Sequence, residues 1–464
     1  MSQIIRKFIR RFQLYKFKLN YLLSNEVIIK EIDKIIKIKD KSYKIRKLNY
    51  LFRKNKDHPL VLYHLSRAKV ENSDYNGFKH IRNFEKFRVK WLLRQNKKTN
   101  EIYIPLQQVI GSLGNFYSLY YFILNNKLVL KNKLKLILLI KETEIFSNNE
   151  LFKFFKPFMK IIKNNEKFYK NNFLYRINKA PIEVGLPFKN KYYPNGVAIN
   201  FINQFLKKRK IEKKIFFKLN IDEKHRCRKL VSKYGIKRGD WFVLLHVREN
   251  NYQPEKLRNS DPYTYLKAIN YIISQGGKVI RMGDNKMTKL PKIKGLIDYP
   301  FTNLKSDKMD VFLASECKFC LGTSSGYYAL PIFFGKPVLL VNYLSTYEYF
   351  ALRETDMFLP KKLISKKNGK ILKIKEIFGS KVGNYILSEK YNESQIIVKD
   401  NSSEEILFST KEMVELISNK NNKKFKLLNS HFKKHMTNCF KNKYDYKIKP
   451  FAKLPSFFLE NFYK

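Results

Sequence analysis

Residues 241–247 read WFVLLHV, residues 262–277 PYTYLKAINYIISQGG and residues 278–282 KVIRM. The first is a continuous apolar run of strand length, as a strand buried on both faces requires. The second puts its apolar residues on one helical face and stops at glycine. The third is another short buried strand. Connections this short favour parallel strands joined by helical crossovers. The alternation continues outward in GLIDY (295–299) as a strand and SDKMDVFLASE (306–316) as a helix capped by Ser306 or Asp307. CKFCLG (317–322) reads as a strand, SGYYALPIFFG (325–335) as a short helix closed by Gly335, and PVLLVNY (337–343) as a strand.

Upstream, the extended run IYIPLQQVIGSLGN (102–115), the helical NFYSLYYFILNNKL (115–128) and the apolar LKLILLI (134–140) make a strand–loop–helix–strand unit. FKFFKPFMKIIKNN (152–165), INFINQFLKKRKIEKKI (199–215) and residues 220–240 read as helical segments around a Pro/Gly-punctuated stretch. Residues 1 to about 95 read as helices, with Leu60, Leu65, Phe84, Trp91 and Leu92 among the apolar positions at three- and four-residue steps. SSEEILFSTKEMVELI (402–417) is a capped amphipathic helix, and 419–450 reads as a basic linker. The expected fold is α/β, divided into a helical region (1–97), two Rossmann-like domains (98–235 and 236–375), and a C-terminal helix with a basic tail (376–464).

The chain has 464 residues and 44% hydrophobic content, enough for two or three domains with cores of their own. Its 94 Lys+Arg against 39 Asp+Glu give a formal charge of +55. Such a field attracts polyanions: nucleic acid, anionic headgroups or sugar diphosphates. The lysines are spread among many Ile, Asn, Phe and Tyr residues, so compositional bias accounts for the excess equally well. Zinc-finger spacing, an RNP-like block and a basic helix-turn-helix are all missing, which argues against a nucleic-acid partner. Four cysteines suit a reducing cytoplasm, and the Cys317-x-x-Cys320 pair lies in an apolar run and reads as core. The opening residues 1–23 thread basic through apolar positions at helical spacing. They fit peripheral contact with the anionic inner face of a membrane, or a docking helix with a charged outer side.

In open α/β sheets ligands sit beyond the carboxyl ends of the strands. Three polar sets fall there. His246 and Arg248 project to one side of their strand end, and an arginine fork suits a diphosphate. In Arg281-Met282-Gly283-Asp284 the glycine permits a turn, and Asp284 either meets a ribose or base or caps the next turn. Gly322-Thr323-Ser324-Ser325-Gly326 precedes a helix, where amides and hydroxyls make an anion site. It is neither a Walker loop nor a dinucleotide fingerprint. A further loop, Gly111 to Gly114 and Asn115, either faces the second half and admits an acceptor or is a structural turn.

HVREN (246–250), RNSDPYTYLKAINYIISQGGKVIRMGD (258–284) and the run LIDYPFTNLK through PVLLVNY (296–343) together resemble a glycosyltransferase family encoded in bacterial surface-polysaccharide gene clusters. The end, PSFFLENFY (455–463), is similar to that family's tail, while the first 230 residues match loosely apart from the GSLGN turn. The HxR block and the Ser-rich loop also resemble GT-B fucosyltransferases, whose arginine holds the donor β-phosphate. The resemblance implies a GT-B-like fold with two Rossmann-like domains facing a cleft and an N-terminal helical extension. It implies transfer of a sugar from a nucleotide-sugar, as substrate rather than cofactor, to a glycan or lipid-linked acceptor. Arg248 would hold the β-phosphate, with Ser324 and Ser325 as phosphate contacts. Glu249 and Asn250 stand where those enzymes often turn acidic, so their base preference does not transfer. The chain has no Asp-x-Asp, the usual metal–diphosphate clasp of the other major glycosyltransferase fold, and no metal is expected. Glu249 and Asp261 are the candidates for a general base. A sugar-nucleotide epimerase of related fold, a nucleic-acid-binding protein and a non-catalytic scaffold are the alternatives.

Overall fold

A computed structural model describes residues 25–72, 74, 76–105, 109, 111–140, 146–163, 173–212, 216–249, 252–344, 348–380, 382–385, 387–419, 422–444 and 448–462. The amphipathic reading of residues 1–23 lies outside them. The chain packs as two units: residues 1–105, 125–142 and 159–194 in the first, and 106–124, 143–158 and 195–464 in the second. The sequence boundaries at 97 and 235 are contiguous cuts, whereas the packing units are interleaved along the chain.

In the first unit, three short apolar runs pair in parallel as β1 (Glu101–Ile104), β2 (Lys135–Ile140) and β3 (Lys160–Lys163), in the order β1-β2-β3. β3 lies in a stretch expected to be helical. The helix Asn149–Phe155 ends ahead of Pro157, which cannot donate within a helix, and Ile161 and Ile162 then pair with β2. The hairpin β4 (Leu186–Phe188) and β5 (Lys191–Tyr193) completes the strands of this unit. Ahead of β1 the helices Lys41–Lys54, Pro59–Glu71 and Phe84–Arg94 bury Leu48, Leu60, Leu65, Trp91 and Leu92 in one cluster with Ile177. Arg88 is fully buried and donates to Glu85, Asn178 and the carbonyls of Thr99 and Glu101, fixing the entry to β1.

The second unit holds a six-stranded, wholly parallel sheet. Its strands are β6 (Phe242–His246), β7 (Lys278–Arg281), β8 (Leu296–Asp298), β9 (Phe319–Gly322), β10 (Val338–Tyr343) and β11 (Met357–Pro360). Their order is β11-β10-β9-β6-β7-β8. The chain lays three strands outward from β6 in one direction, then returns and lays three more on the other side. That is the doubly wound order of nucleotide-binding α/β sheets. The chain is therefore α/β, with helices ahead of its first strand, as the sequence implies.

The crossover elements follow the sequence closely. Asp261 opens the 3-10 turn Pro262–Tyr265, which runs into the helix Leu266–Ser274. Gly276 stops it at φ +79°. Ser306, rather than Asp307, caps the helix Asp307–Glu316 through Met309 N–H. Cys317 and Cys320 are fully buried and free, and burial pushes the Cys317 thiol up to about 12. The stretch 419–450 differs from a linker: Lys423–Tyr444 is a 22-residue helix. Phe425, Asn429, Phe432 and Met436, at four- and three-residue steps, form its buried face. Asn429 exchanges two hydrogen bonds with the backbone of Leu454, at 3.0 and 2.9 Å.

Candidate functional site

β6 and β9 are neighbours, and His246 stands opposite Gly322 at their carboxyl ends. This is the point where the strand order reverses, and in doubly wound sheets ligands bind in the crevice outside the strand ends at such a point. The loops that follow the two strands are stitched together. Thr323 N–H donates to His246 O at 3.2 Å, and Arg248 N–H donates to Thr323 Oγ1 at 2.9 Å. Ser325 caps the turn Gly326–Tyr328 by accepting from Tyr327 N–H, and the Tyr327 ring lies flat on His246, centroids 4.8 Å apart.

Gly326 meets Gly114 of the GSLGN loop, and both lie in the second unit. A methyl group on Gly326 would lie 2.6 Å from Gly114 Cα and N, too close for any side chain to occupy without backbone movement. The same holds for Gly114, at 2.8 Å from Gly326 Cα. Of the two readings of the 111–115 loop, the structure supplies a packing reason: two glycine turns touching backbone to backbone. Asn115 begins the helix Asn115–Leu124, whose Tyr117 and Tyr120 pack on Phe333.

Arg248 is nearly buried, with 11% of its side chain exposed, and donates to Glu255 at 2.9 Å. Its Nη1 has no partner among the described residues, nor has His246 Nδ1. A buried guanidinium nitrogen without a partner carries a desolvation cost, which a bound anion would relieve. Arg258 comes from the 3-10 turn Gln253–Arg258 and shares Glu255 at 2.6 Å. Its Nε and Nη2 grip Ser324 O at 3.1 and 2.9 Å. Glu255, Arg258 and Tyr327 were not singled out by sequence; the i,i+3 Glu–Arg spacing in QPEKLR is the signal that points to the first two.

The RMGD set behaves differently. Arg281, expected among the donor contacts, is fully buried and donates to Glu249 at 2.7 Å and Asp298 at 3.0 Å. It ends β7 between two carboxylates and ties neighbouring strand ends together. Gly283 sits at φ +152°, and a side chain there would run into Met287 Sδ at 2.1 Å. Asp284 is exposed and accepts from Lys286 N–H at 2.8 Å, which is the turn-capping alternative. The two base candidates are engaged as well. Glu249 accepts from Arg281 and from Thr288 N–H at 3.0 Å, and exposed Asp261 caps its turn through Tyr263 N–H at 2.9 Å. Among the described residues no group of three or more His, Cys, Asp or Glu could hold a metal ion. No described helix is long and apolar enough to cross a membrane.

Burial first, and then the Arg281 charge, lowers the His246 pKa to about 4. His58, buried with neither ring nitrogen partnered among the described residues, is also lowered to about 4, chiefly by burial. Such a histidine stays neutral in the folded chain while the unfolded chain takes up a proton below about 6.5. Stability is therefore lost as pH falls from about 6.5 toward 4, by about 2 kcal/mol at pH 5 for each group. Replacing His58 by phenylalanine should shrink the drop in melting temperature between pH 7.5 and pH 5. An unchanged drop would place the acid sensitivity elsewhere.

No family model matches the chain, and no curated protein matches its sequence. Among solved structures it bears a likeness to a family 9 glycosyl transferase from Veillonella parvula. The identity is 11%, over 69% of this chain and 98% of that one, with a TM-score of 0.42. Another is the E. coli ADP-heptose LPS heptosyltransferase II, at 9% identity and TM-score 0.39, over 69% of this chain and 100% of that one. A third is E. coli heptosyltransferase WaaC with ADP, at 9% identity and TM-score 0.29, over 56% and 90%. The α/β assignment of this chain rests on its own strand order.

Proposed function

We propose that this chain is a GT-B-type glycosyltransferase that moves a sugar from a nucleotide-sugar donor to a glycan or lipid-linked acceptor of surface-polysaccharide synthesis. The observation that carries the reading is Arg248. It leaves the β6 end at the point where strand order reverses, with one guanidinium nitrogen unpartnered among the described residues, beside the Gly322–Gly326 turn. In this reading the crevice takes the donor diphosphate. Arg248 and the Thr323–Ser325 turn bear the charge that grows on it as the glycosidic bond breaks, so electrostatics alone stabilise the leaving group. The stacked rings of His246 and Tyr327 brace the β6 end against the turn that follows β9. Glu249 and Asp261 hold their own structural partners, so neither is assigned as the base that takes the acceptor proton.

The test is a thermal-shift screen of the full chain across nucleotide-sugars. A donor bound only to the folded state adds about 2.7 kcal/mol at a hundredfold excess over its Kd, a rise of several degrees. A screen in which no nucleotide or nucleotide-sugar moves the transition sinks the proposal. Sugar-epimer formation from the donor alone, followed by NMR without acceptor, would turn it toward an epimerase.

A further inference from the structure

The bridge between the two arginines of the crevice carries a second assignment. Glu255 contacts Arg248 Nη2 at 2.9 Å and Arg258 Nη1 at 2.6 Å. Arg258 also holds the carbonyl of Ser324, so one residue joins the Arg248 loop to the Gly322–Gly326 turn. Two guanidiniums against one carboxylate leave a net positive charge in a partly desolvated place. Burial first, and then the Arg258 charge, pull Arg248 below the ordinary guanidinium range. Two cations crowded this way need an anion between them. Both contacts fall on one carboxylate oxygen, Glu255 Oε2, which sits between the two guanidiniums where a phosphate oxygen would be held by the same charge-assisted bonds.

We propose that Arg258 is a second ligand of the donor diphosphate and that Glu255 stands in for a phosphate group in the free protein. This rests on the reading of the crevice as the donor site. Diphosphate entry displaces the Glu255 carboxylate, which is one-quarter exposed and has solvent to turn into. Arg248 Nη1, unpartnered among the described residues, makes the first contact, and Nη2 follows as Glu255 leaves. Arg258 keeps its hold on Ser324 O through Nε and Nη2 while Nη1 passes from carboxylate to phosphate. The turn is thus fixed in place before the donor arrives, and the charge is exchanged after it.

Calorimetric titration of the full chain with inorganic pyrophosphate, and with ADP, GDP and UDP, tests this. Glu255→Gln removes the competing charge at constant shape and should bind pyrophosphate about tenfold tighter than the unaltered protein. Arg258→Ala should bind about tenfold more weakly and with a shallower salt dependence, and Arg258→Lys should recover only part, since an ammonium cannot span two oxygens. Weaker binding by Glu255→Gln would overturn the stand-in role and make Glu255 a positioning residue for Arg248. Unaltered affinity in Arg258→Ala would leave Arg258 as a brace for the Ser324 carbonyl alone. Glu255→Ser gives the same readout should the glutamine variant not fold. If the unaltered, folded protein binds neither pyrophosphate nor any of the three nucleotides, the donor-site reading falls together with this one.

Discussion

Arg248→Ala should abolish sugar transfer while leaving the fold and the melting temperature nearly unchanged. The two halves of that expectation have separate causes. The side chain contributes little to stability because its ion pair to Glu255 is shared with Arg258, which keeps it when Arg248 goes. The strand end keeps its stitch too, since Thr323 Oγ1 accepts from the Arg248 backbone N–H, which alanine also has. Turnover, by contrast, loses a charge aimed at the leaving diphosphate. Removing one such preorganised donor costs about 10²- to 10³-fold in rate, and a full charge in a partly buried site costs no less. Donor hydrolysis and transfer assays on the purified variant, beside its far-UV circular dichroism and melting curve, give the answer. A folded variant with near-normal turnover would remove Arg248 from the site.

The β6-to-β10 half of the second unit was legible because each of its signals is local. A buried strand announces itself as WFVLLHV or PVLLVNY, and a helix stop as Gly276, within a handful of residues. The position of the candidate loops was legible for the same reason: once the strands are placed, the loops at their carboxyl ends follow. What escaped depended on partners distant in sequence. MKIIK becomes a strand because β2 lies beside it, and 423–444 a helix because Leu454 and its neighbours cover Asn429. The glycines of GSLGN and TSSG show no sign in sequence that they touch. Arg281 illustrates the limit most clearly, since its sequence position at a strand end is indistinguishable in kind from that of Arg248. Arg248 keeps Nη1 without a partner among the described residues. Both terminal nitrogens of Arg281 are taken by carboxylates 32 residues before and 17 residues after it, with only its Nε lacking a partner among the described residues.

That contrast sets the other large expectation, which concerns stability. Arg281→Met should lower the unfolding free energy by about 3–5 kcal/mol, the cost of removing one partner from a buried ion-pair network. The guanidinium is fully buried and spans Glu249 and Asp298, each about one-fifth exposed. Without it, two carboxylates face the same emptied space with nothing to neutralise them, and methionine fills the volume but not the charge. The loss should therefore be partly recoverable from the other side. Glu249→Gln on the Arg281→Met background removes one of the stranded charges and keeps the acceptor for Thr288 N–H, so it should restore stability, whereas the same change in the unaltered chain should cost some. Denaturant unfolding of the four proteins in such a cycle gives the coupling directly. A coupling below about 0.5 kcal/mol would mean that Glu249 contributes little to holding Arg281 and that Asp298 is its working partner. It would also leave the Thr288 N–H bond as the structural duty of Glu249, a lighter tie that returns this carboxylate to consideration as the base.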